Sequence, residues 1–560
     1  MLVHSENYAA LRTRGPVYEG RVQTIYIDPP YNTGSDGFLY KDDFSQHSTW
    51  LTMMEERLRL GREWLANPAL VFVSIDDNES LRLGALLEAV YGVDSFMASI
   101  MWQKRYVSNA TAKYMSDMHD YVYAYGSGLD SVDIELWDRT AKQLKAYDNW
   151  DNDDRGPWRA QDLSASKPYS AGQFEITTPT GMVVTPPPGR YWRCSREKYE
   201  ELLADNRITF GKSGEGRPML KAFLSESQGG VKPHTWWTHK FAGHNKEAKL
   251  ETKALFGQET PFGTPKPVKL IRRLIELHTS GREMVLDYFA GSGTTGQAVI
   301  AKNREDGGSR CFLLVEQGEY ADTVLMPRIQ KVMHAPDWKD GAPGEAACFD
   351  GLGTEGDLTM LPDWVGRTPR LVQVLRLESY EGSLNALETP AERTARQQKQ
   401  AALFGDDYLL RYFLPLETAD SAPLLNLQAL ADPFAYRLRV HTPDGVAAQP
   451  VDLVETFPLV MGLRPVRRWT ETHAGAMPGG ADRPYTLMEA KGRDDGLVLV
   501  VWRPVAGLDP AAEKAWLAEQ LSAKGQTWDA YGTVWMNAQG ALPKGRELDT
   551  EFRRALLARD

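Results

Sequence analysis

An aspartate, two prolines and a tyrosine stand together at residues 28–31, directly after a short apolar run. That run, Val22 to Ile27, mixes β-branched and aromatic residues, which predicts a buried strand ending in a rigid loop. The prolines fix φ and have no backbone N–H, so the loop offers carbonyl acceptors to a ligand. The Asp28 carboxylate, a proline carbonyl and the Tyr31 ring suit a planar ligand with an amino group. The simpler alternative is a loop in which prolines merely end a core strand.

A second apolar run, from Met284 to Asp287, leads into a glycine-rich turn before a predicted helix from Gln297 to Lys302. Gly291 and Gly293 allow a sharp turn and a close approach of the backbone to a ligand. Alone, such a turn is weak evidence, because nucleotide-binding folds and ordinary tight turns both use it. A third run ends at Glu316, where an acid is placed to bind the two hydroxyls of a ribose. A solvated carboxylate at a strand end is the alternative for Glu316.

These motifs resemble two loops of one enzyme family. Residues 28–31 resemble the Asp-Pro-Pro-Tyr signature of amino-directed DNA methyltransferases, and the extension to Gly34 resembles modification subunits of type III restriction systems. Residues 287–295, Asp-Tyr-Phe-Ala-Gly-Ser-Gly-Thr-Thr, resemble the S-adenosylmethionine loop of the same enzymes. The catalytic loop comes first in the chain, as in the circularly permuted β class, whose target-recognition region lies between the two halves. The resemblance covers roughly residues 1–335.

The resemblance implies a role for each motif residue. The amine of adenine is a poor nucleophile because its lone pair is delocalised, and two acceptors on its hydrogens localise that pair for attack. Asp28 and the Pro29 carbonyl are expected to hold the amine, with Tyr31 stacking on the base. The expected catalytic residues are Asp28, Pro29, Pro30 and Tyr31. The expected S-adenosylmethionine residues are Asp287, Phe289, Gly291, Ser292, Gly293, Thr294, Thr295 and Glu316.

Three further residues extend the expected cofactor site. The segment from Phe262 to Pro267 resembles the family's remaining cofactor motif, so Thr264 and Lys266 are expected to reach the methionine end. A solvated turn that caps the predicted helix Val268 to His278 explains them equally well. Glu6 stands where relatives often carry an aspartate near the cofactor adenine, one methylene shorter.

The elements that must position these loops predict an α/β, Rossmann-like methyltransferase sheet, circularly permuted. Periodicity predicts strands at residues 2–7, 69–76, 99–102 and 120–125, and helices at 50–65 and 80–91. We expect a catalytic domain from residues 1–130 and 261–335, and a target-recognition region at 131–260. A linker at 336–368 and a C-terminal α/β domain at 369–560 follow. Glu489, Lys491 and Asp494 suggest a nuclease, but a hairpin with a charged turn is the favoured interpretation.

Candidate DNA contacts are basic residues in loops. Lys104 and Arg105 lie in a polar loop between two predicted strands, and Arg159, Arg190 and Arg193 stand beside tryptophans. Arginine next to tryptophan suits stacking and phosphate contact, but also the aromatic core of a small domain.

Composition limits the class of protein. The 560 residues are 42% hydrophobic with no long apolar run and no signal-peptide pattern, so we expect neither a membrane span nor secretion. Three scattered cysteines form no metal or disulfide pattern, which fits the cytoplasm and a site without metal. The net charge of −11 is unexpected for a protein that grips DNA phosphates. We therefore expect a polarised surface, or a partner that supplies basic contacts.

The combined prediction is a site-specific adenine-N6 methyltransferase of double-stranded DNA, acting in a restriction-modification or related phage-defence system. The alternatives are a cytosine-N4 methyltransferase, an RNA or protein-glutamine methyltransferase, and a catalytically silent DNA-binding scaffold. Aspartate rather than serine at position 28 favours adenine. Because Met1 lies so near a central strand, we expect a homodimer partner, or a restriction or other defence subunit, to cover that edge.

Overall fold

The computed structural model describes residues 1–34, 47–227, 229–257, 261–277, 281–344, 372–377, 430–442, 445–492, 494–538 and 540–557. Two compact units form, one from residues 1–133 with 235–560 and one from residues 134–234. Residues 345–368 of the linker expected at 336–368 lie outside the described residues.

The strands in the described ranges are short to medium in length. In chain order they are β1 Leu2–His4, β2 Val22–Ile27, β3 Leu65–Ile75, β4 Phe96–Trp102, β5 Asp120–Ser127, β6 Trp158–Asp162, β7 Ser164–Ala165, β8 Ile176–Thr177, β9 Val183–Val184, β10 Tyr191–Trp192, β11 Ile208–Thr209, β12 Met219–Phe223, β13 Trp236–Trp237, β14 Met284–Asp287, β15 Cys311–Glu316, β16 Trp338–Lys339, β17 Ala342–Pro343, β18 Val374–Arg376, β19 Arg437–Thr442, β20 Gly445–Pro450, β21 Arg464–His473, β22 Arg483–Lys491, β23 Leu497–Trp502, β24 Thr533–Met536 and β25 Gly545–Glu547.

The α-helices of the same ranges lie mostly between consecutive strands. They are α1 Asn7–Tyr18, α2 His47–Trp64, α3 Ser80–Tyr91, α4 Ala141–Leu144, α5 Arg196–Ala204, α6 His239–Ala242, α7 Asn245–Phe256, α8 Val268–Ile275, α9 Thr294–Asp306, α10 Met326–His334, α11 Leu453–Met461, α12 Pro510–Ala523 and α13 Leu548–Leu557. None of the described helices is long and apolar enough to cross a membrane.

A nine-stranded sheet organises the larger unit, in the order β13-β4-β5-β3-β2-β14-β15-β1-β18. Strands β3, β2, β14, β15, β1 and β18 run parallel, whereas β5 pairs antiparallel with both β3 and β4. From the neighbours β2 and β14 the chain proceeds in opposite directions, to β3 and to β15. This is the topological switch point at which α/β sheets bind ligands. The predicted Rossmann-like sheet in permuted order is confirmed.

Helix α2 and helix α9 cover opposite faces of this sheet, because parallel crossovers are right-handed and these two lead in opposite directions. On one face, α1, α2 and α3 bury apolar side chains at helical spacing against the strands, including Leu11, Trp50, Met54, Leu58 and Leu87. The strand predicted at 22–27 and the helix predicted at 80–91 are confirmed at those bounds. The apolar packing of these helices thus holds in place the strand β2, after which Asp28 lies.

The edge of strand β1 departs from expectation. We expected a partner to cover it, but β18 of this chain pairs with β1 in parallel, with Leu2 opposite Val374. A segment beyond the predicted linker therefore completes the sheet, and edge protection gives no reason for a partner. The first residues of the linker expected at 336–368 form the small hairpin of β16 and β17.

The smaller unit, residues 134–234, is narrower than the region expected at 131–260. Trp236 and Trp237 form β13, which pairs with β4 of the large sheet, so residues from 235 onward belong with the larger unit. Inside the smaller unit, the sheet β11-β12-β6 accompanies a core of Leu163, Trp192, Tyr199 and Phe210. Trp158 and Trp192 are buried, as the core interpretation of these tryptophans requires.

The C-terminal part of the larger unit, expected from the sequence to be a domain of its own at 369–560, contains a five-stranded sheet in the order β21-β22-β23-β24-β25. Strands β22 and β23 form an antiparallel hairpin across the charged turn, as favoured from the sequence. Glu489 is buried and accepts a hydrogen bond of 2.7 Å from the Tyr531 hydroxyl. No group of three or more metal-binding side chains exists in the described ranges.

A buried ion pair lies beside this sheet, at the end of β23. Arg503 and Glu513 are both inaccessible to solvent, with 2.6 Å between Arg503 Nε and Glu513 Oε1. Arg503 also donates to the Asn537 carbonyl. Removing one partner of such a pair leaves the other charge buried without compensation.

We predict that Arg503→Met lowers the free energy of unfolding of the protein by about 3–5 kcal/mol, because Glu513 is left buried and unpaired. Urea denaturation followed by tryptophan fluorescence measures the loss. Arg546→Met, at an exposed arginine on β25, is the control and should change stability little. The double variant Arg503→Met/Glu513→Leu should recover part of the loss. A single variant as stable as the control would contradict the prediction.

Candidate active site

The loops that follow β2 and β14 line one cavity of about 260 Å³ at the carboxyl edge of the sheet. The wall also includes the segment before α8 and the end of β15. The expected site residues that line it are Glu6, Asp28, Pro30, Thr264, Lys266, Asp287, Phe289, Gly291, Ser292, Thr294, Thr295 and Glu316. Pro29, Tyr31 and Gly293 belong to the same loops without lining the cavity. Residues far apart in the chain are therefore brought to one site.

The loop at Asp28 is held by hydrogen bonds on both sides of its prolines. The Tyr31 hydroxyl donates to Asp28 Oδ1 at 2.9 Å. Trp50, which is fully buried in α2, donates its indole N–H to the Pro30 carbonyl at 2.8 Å. No donor in the described residues contacts the Pro29 carbonyl. The acceptor roles of Asp28 and Pro29 stay a prediction, while the Pro30 carbonyl is used inside the protein.

Lys266 lies in an unexpected place. We expected it at the methionine end of the cofactor, but its ammonium is 2.6 Å from both carboxylate oxygens of Asp28. The same ammonium is 4.8 Å from the centroid of the Tyr31 ring. Its backbone is fixed, because the Thr294 hydroxyl donates to the Lys266 carbonyl at 3.1 Å. Lys266 therefore joins the two expected halves of the site.

The glycine-rich turn has the backbone that only glycine adopts readily. Gly291 and Gly293 have φ of 52° and 83°, and Gly293 is the N-cap residue of helix α9. A Cβ on Gly293 would also lie 3.2 Å from Leu325 Cγ. Below the turn, Asp287 accepts from the Phe289 N–H at 3.0 Å and from the Thr295 hydroxyl at 2.5 Å. Asp287 thus shapes the turn.

Arg328 was missed by the sequence analysis. It is fully buried and donates to the hydroxyls of Ser292 at 2.8 Å and Thr294 at 3.0 Å, which braces the turn from behind. Burial lowers the pKa of Arg328 to about 10. An arginine in helix α10 follows no motif, so no sequence signal marked it.

Glu316 is more occupied than expected. Its Oε1 accepts from the N–H groups of Gln317 and Gly318 and from the Tyr320 hydroxyl, each at 2.9 Å. Its Oε2 accepts the Gly291 N–H at 2.7 Å. Burial raises the pKa of Glu316. A carboxylate oxygen has room for about two hydrogen bonds, so Oε2 is the atom that remains for a ribose hydroxyl.

Glu6 and Arg57 also line the cavity. Glu6 Oε2 caps helix α1 by accepting the Ala9 N–H at 2.9 Å, and Oε1 pairs with Arg57. Arg57 also donates to Asn7 Oδ1, and Asn7 donates to the Tyr288 carbonyl at 2.9 Å. Arg57 is a second residue that the sequence did not single out. The pair links α2 to the turn after β14.

The candidate DNA contacts divide into buried and exposed side chains. Lys104 was expected in a polar loop, but it is buried and paired with Asp117 and Asp120, so it cannot reach a phosphate. Arg105 in the same loop is exposed. In the smaller unit Arg159 and Arg193 are exposed, and Arg159 lies 5.7 Å from the Tyr147 ring centroid.

Arg190 is partly committed within the smaller unit, since its Nη2 is 2.7 Å from Asp162 Oδ2 and its Nε donates to the Ser164 hydroxyl. A DNA role for Arg105, Arg159, Arg190 and Arg193 stays a prediction.

Comparison with known proteins identifies similar chains. A family model described as DNA methylase, of the N6/N4 type, matches residues 22–325. The Mod subunit of the type III restriction-modification enzyme StyLTI from Salmonella typhimurium LT2 is 34% identical over 345 residues, which are 56% of this chain and 52% of that one. The EcoPI Mod subunit of Escherichia phage P1 is 29% identical over 386 residues, 57% of each chain.

An alignment with a solved structure covers a similar share of this chain. M1.HpyAVI in complex with S-adenosylmethionine aligns with a TM-score of 0.30 and 13% identity, over 59% of this chain and 98% of that one. This chain spans about half the length of the curated relatives it matches.

The buried Asp287 makes stability depend on pH. Burial raises its pKa to about 7, although Thr295 and Phe289 donate to it. In the unfolded chain an aspartate titrates near pH 4. Between these values the folded protein binds a proton that the unfolded chain has lost, so stability falls as pH rises from about 4 to about 7.

We predict that Asp287→Asn, which cannot ionise, loses this fall. The variant's free energy of unfolding minus that of the parent protein should be larger at pH 8 than at pH 5, by about 2 kcal/mol. Taking the difference between the two pH values cancels any constant cost of the amide. Urea denaturation without ligand at both pH values measures it, and an equal difference at pH 5 and pH 8 would contradict the prediction.

Proposed function

Because this chain belongs to the N6/N4 DNA methylase family, we propose that it transfers a methyl group from S-adenosylmethionine to adenine N6 at a specific sequence in double-stranded DNA. The observation that supports this most directly is the position of Asp28 and the Pro29 carbonyl. Asp28 lines the cavity together with the glycine-rich turn, and Pro29 follows it at the switch point between β2 and β14. The proximity of this loop and the turn supports an amine site next to a nucleotide site.

The cavity fits the cofactor on several points. Glu316 Oε2 has an acceptor direction left for a ribose hydroxyl, and Phe262 and Tyr320 form an aromatic wall with ring centroids 5.1 Å apart. The acids Glu6, Asp28, Asp287 and Glu316 line a space that suits a sulfonium cation. When bound, S-adenosylmethionine supplies the electrophilic methyl group.

The residues of the chain then act on the target amine. The Asp28 carboxylate and the Pro29 carbonyl accept its two hydrogens, which localises the nitrogen lone pair, and Tyr31 offers its ring to the base. The target base must leave the duplex, because its amino group is otherwise held within the stacked pairs. Since the acceptors are already in place, little reorganisation is needed during the reaction.

Cytosine N4 is the second candidate target, since it presents the same amine geometry. Aspartate at position 28 favours adenine. A catalytically silent scaffold is disfavoured, since Asp28, Tyr31, Gly291 and Gly293 are all present in the two neighbouring loops. Digestion of methylated DNA to nucleosides and mass spectrometry would distinguish N6-methyladenine from N4-methylcytosine.

The setting proposed is restriction-modification or a related phage defence, in the cytoplasm. It is supported by the relatives named as type III Mod subunits. In that setting the partner is a restriction or other defence subunit, or a second copy of this chain. The net charge of −11 supports a partner that adds basic DNA contacts. Co-purification and light scattering would identify it.

We predict that Asp28→Ala reduces methylation of duplex DNA by about 100-fold or more, because a preorganised acceptor on the reacting amine is lost. Transfer of tritiated methyl groups to DNA measures the rate. Calorimetry with S-adenosylmethionine is the matched readout, and affinity should remain within a few-fold of the parent protein.

The complementary variant is Gly293→Val, in which φ of 83° and the nearby Leu325 oppose a side chain. It should weaken cofactor binding strongly, whereas Val466→Ala on strand β21 should leave it unchanged. Near-normal turnover by Asp28→Ala, or unchanged affinity in Gly293→Val, would refute the assignment.

We also predict that residues 134–234 choose the methylated sequence. This unit interrupts the catalytic halves and exposes Arg159 and Arg193. Exchanging it for the corresponding unit of a relative should change the modified motif and leave the methylated atom the same. Sequencing that detects modified bases reads the motif directly. An unchanged motif after the exchange would place recognition elsewhere in the chain.

A further inference from the structure

The ammonium of Lys266 occupies the place that the proposed function gives to the target amine. Both Asp28 oxygens lie 2.6 Å from its Nζ, and the same atom stands 4.8 Å from the centroid of Tyr31. A target base would need the Asp28 carboxylate for its amine and a face of the Tyr31 ring for stacking. Asp28 Oδ1 also accepts from the Tyr31 hydroxyl. One cation therefore engages both groups, and a base has to compete with Lys266 for these contacts.

We propose that Lys266 is a positioning residue that holds Asp28 until the cofactor binds. The carboxylate of the cofactor's methionine moiety then draws the ammonium away, so that only the cofactor-loaded protein accepts the extruded base. This rests on the proposed function, and it adds an order of binding that the acceptor geometry alone does not require.

The charges in the cavity support this exchange. Its described lining contains four carboxylates, Glu6, Asp28, Asp287 and Glu316, but two cationic side chains, Arg57 and Lys266. Arg57 is committed to Glu6 and Asn7 and to the Met53 carbonyl. An incoming carboxylate needs a cationic partner, and Lys266, which can turn away from Asp28, is the one that can supply it.

The construction around Lys266 allows its head group to move while its backbone stays fixed. Pro265 and Pro267 flank it, and the Thr294 hydroxyl donates to its carbonyl at 3.1 Å. Its four-carbon side chain is flexible, so a change of rotamer moves the ammonium without moving the loop. The hydroxyl of Thr294 belongs to the glycine-rich turn, so the base of the side chain is anchored to the cofactor loop itself.

The strength of the contacts explains why a base alone does not suffice. The Lys266 ammonium and the Asp28 carboxylate carry opposite charges, so they attract each other more strongly than the carboxylate attracts a neutral amine. The neutral amine of adenine is therefore a poor competitor for Asp28 while Lys266 is present. A second carboxylate competes for the ammonium on equal terms. Cofactor binding and base extrusion are then coupled, and the coupling is reciprocal.

The experiment uses the full chain and a duplex with 2-aminopurine next to the target adenine, after the site has been located by sequencing methylated DNA. The fluorescence of 2-aminopurine rises when the neighbouring adenine leaves the stack. S-adenosylhomocysteine carries the carboxylate but no transferable methyl group, and 5′-methylthioadenosine carries the adenosine and thioether without the carboxylate. Comparing these two probes isolates the carboxylate.

In the parent protein, S-adenosylhomocysteine should raise the extruded fraction by at least about 5-fold, and 5′-methylthioadenosine should not. Lys266→Met should extrude the base in the absence of either probe. Lys269→Met is the matched control, because Lys269 lies three residues further on, is half-buried and donates to the Lys240 carbonyl. It should behave as the parent protein does. If Lys266→Met misfolds by circular dichroism, Lys266→Gln provides the same test.

Several outcomes would overturn the proposal. Equal extrusion by the parent protein with both probes would do so, as would Lys266→Met that binds S-adenosylhomocysteine weakly and still extrudes the base only with it. The latter result would make Lys266 a cofactor ligand alone. Failure of the proposed function is distinguishable, because the parent protein would then transfer no tritiated methyl group to DNA at all.

Discussion

The site depends on the parallel pairing of β2 with β14, which joins two segments that are far apart in the chain. Leu286 pairs with Ile25, so the loops that follow β2 and β14 emerge next to each other at the carboxyl edge. Neither loop forms the proposed site alone: one would offer acceptors for an amine, and the other a turn for a nucleotide. Because the chain leaves β2 and β14 in opposite directions, the helices that follow are drawn to opposite faces, and the edge between the two strands stays open for ligands.

This arrangement requires charges to be buried. The glycine-rich turn encloses Asp287 and Arg328, and the Oε1 of Glu316 is saturated by donors of the chain. Burying a charge is unfavourable unless hydrogen bonds compensate it, and the shifted pKa values of Asp287 and Arg328 show that compensation here is incomplete. The protein thus maintains a preformed turn at a cost in stability, which is common where function fixes the geometry. Trp50 fixes the catalytic loop without such a cost, because its indole N–H satisfies the Pro30 carbonyl inside an apolar core.

Much of this site could be predicted from local sequence. The strand at 22–27, the helix at 80–91 and the proximity of the two loops followed from hydrophobic periodicity and recognisable motifs. What could not be predicted depends on tertiary partners. Lys104 looked like a loop residue, but the fold places Asp117 and Asp120 around it. Arg57 and Arg328 lie in ordinary helices, and their roles follow from which loops those helices meet. Likewise, β18 is too short to stand out in the sequence, and it is defined by pairing with β1.

The acidic lining has different consequences for binding and for rate. Glu6, Asp287 and Glu316 attract a cation before and during the reaction alike, so they favour binding of a sulfonium without lowering the barrier. In the proposed reaction Asp28 differs, because it would face the nitrogen on which positive charge develops as the methyl group arrives. Its interaction would grow along the reaction and therefore contribute to the rate. The same reasoning supports the proposal that the contact of Lys266 with Asp28 is temporary. An ammonium that stayed there would oppose the developing charge, so under this proposal Lys266 has to leave before the chemistry begins.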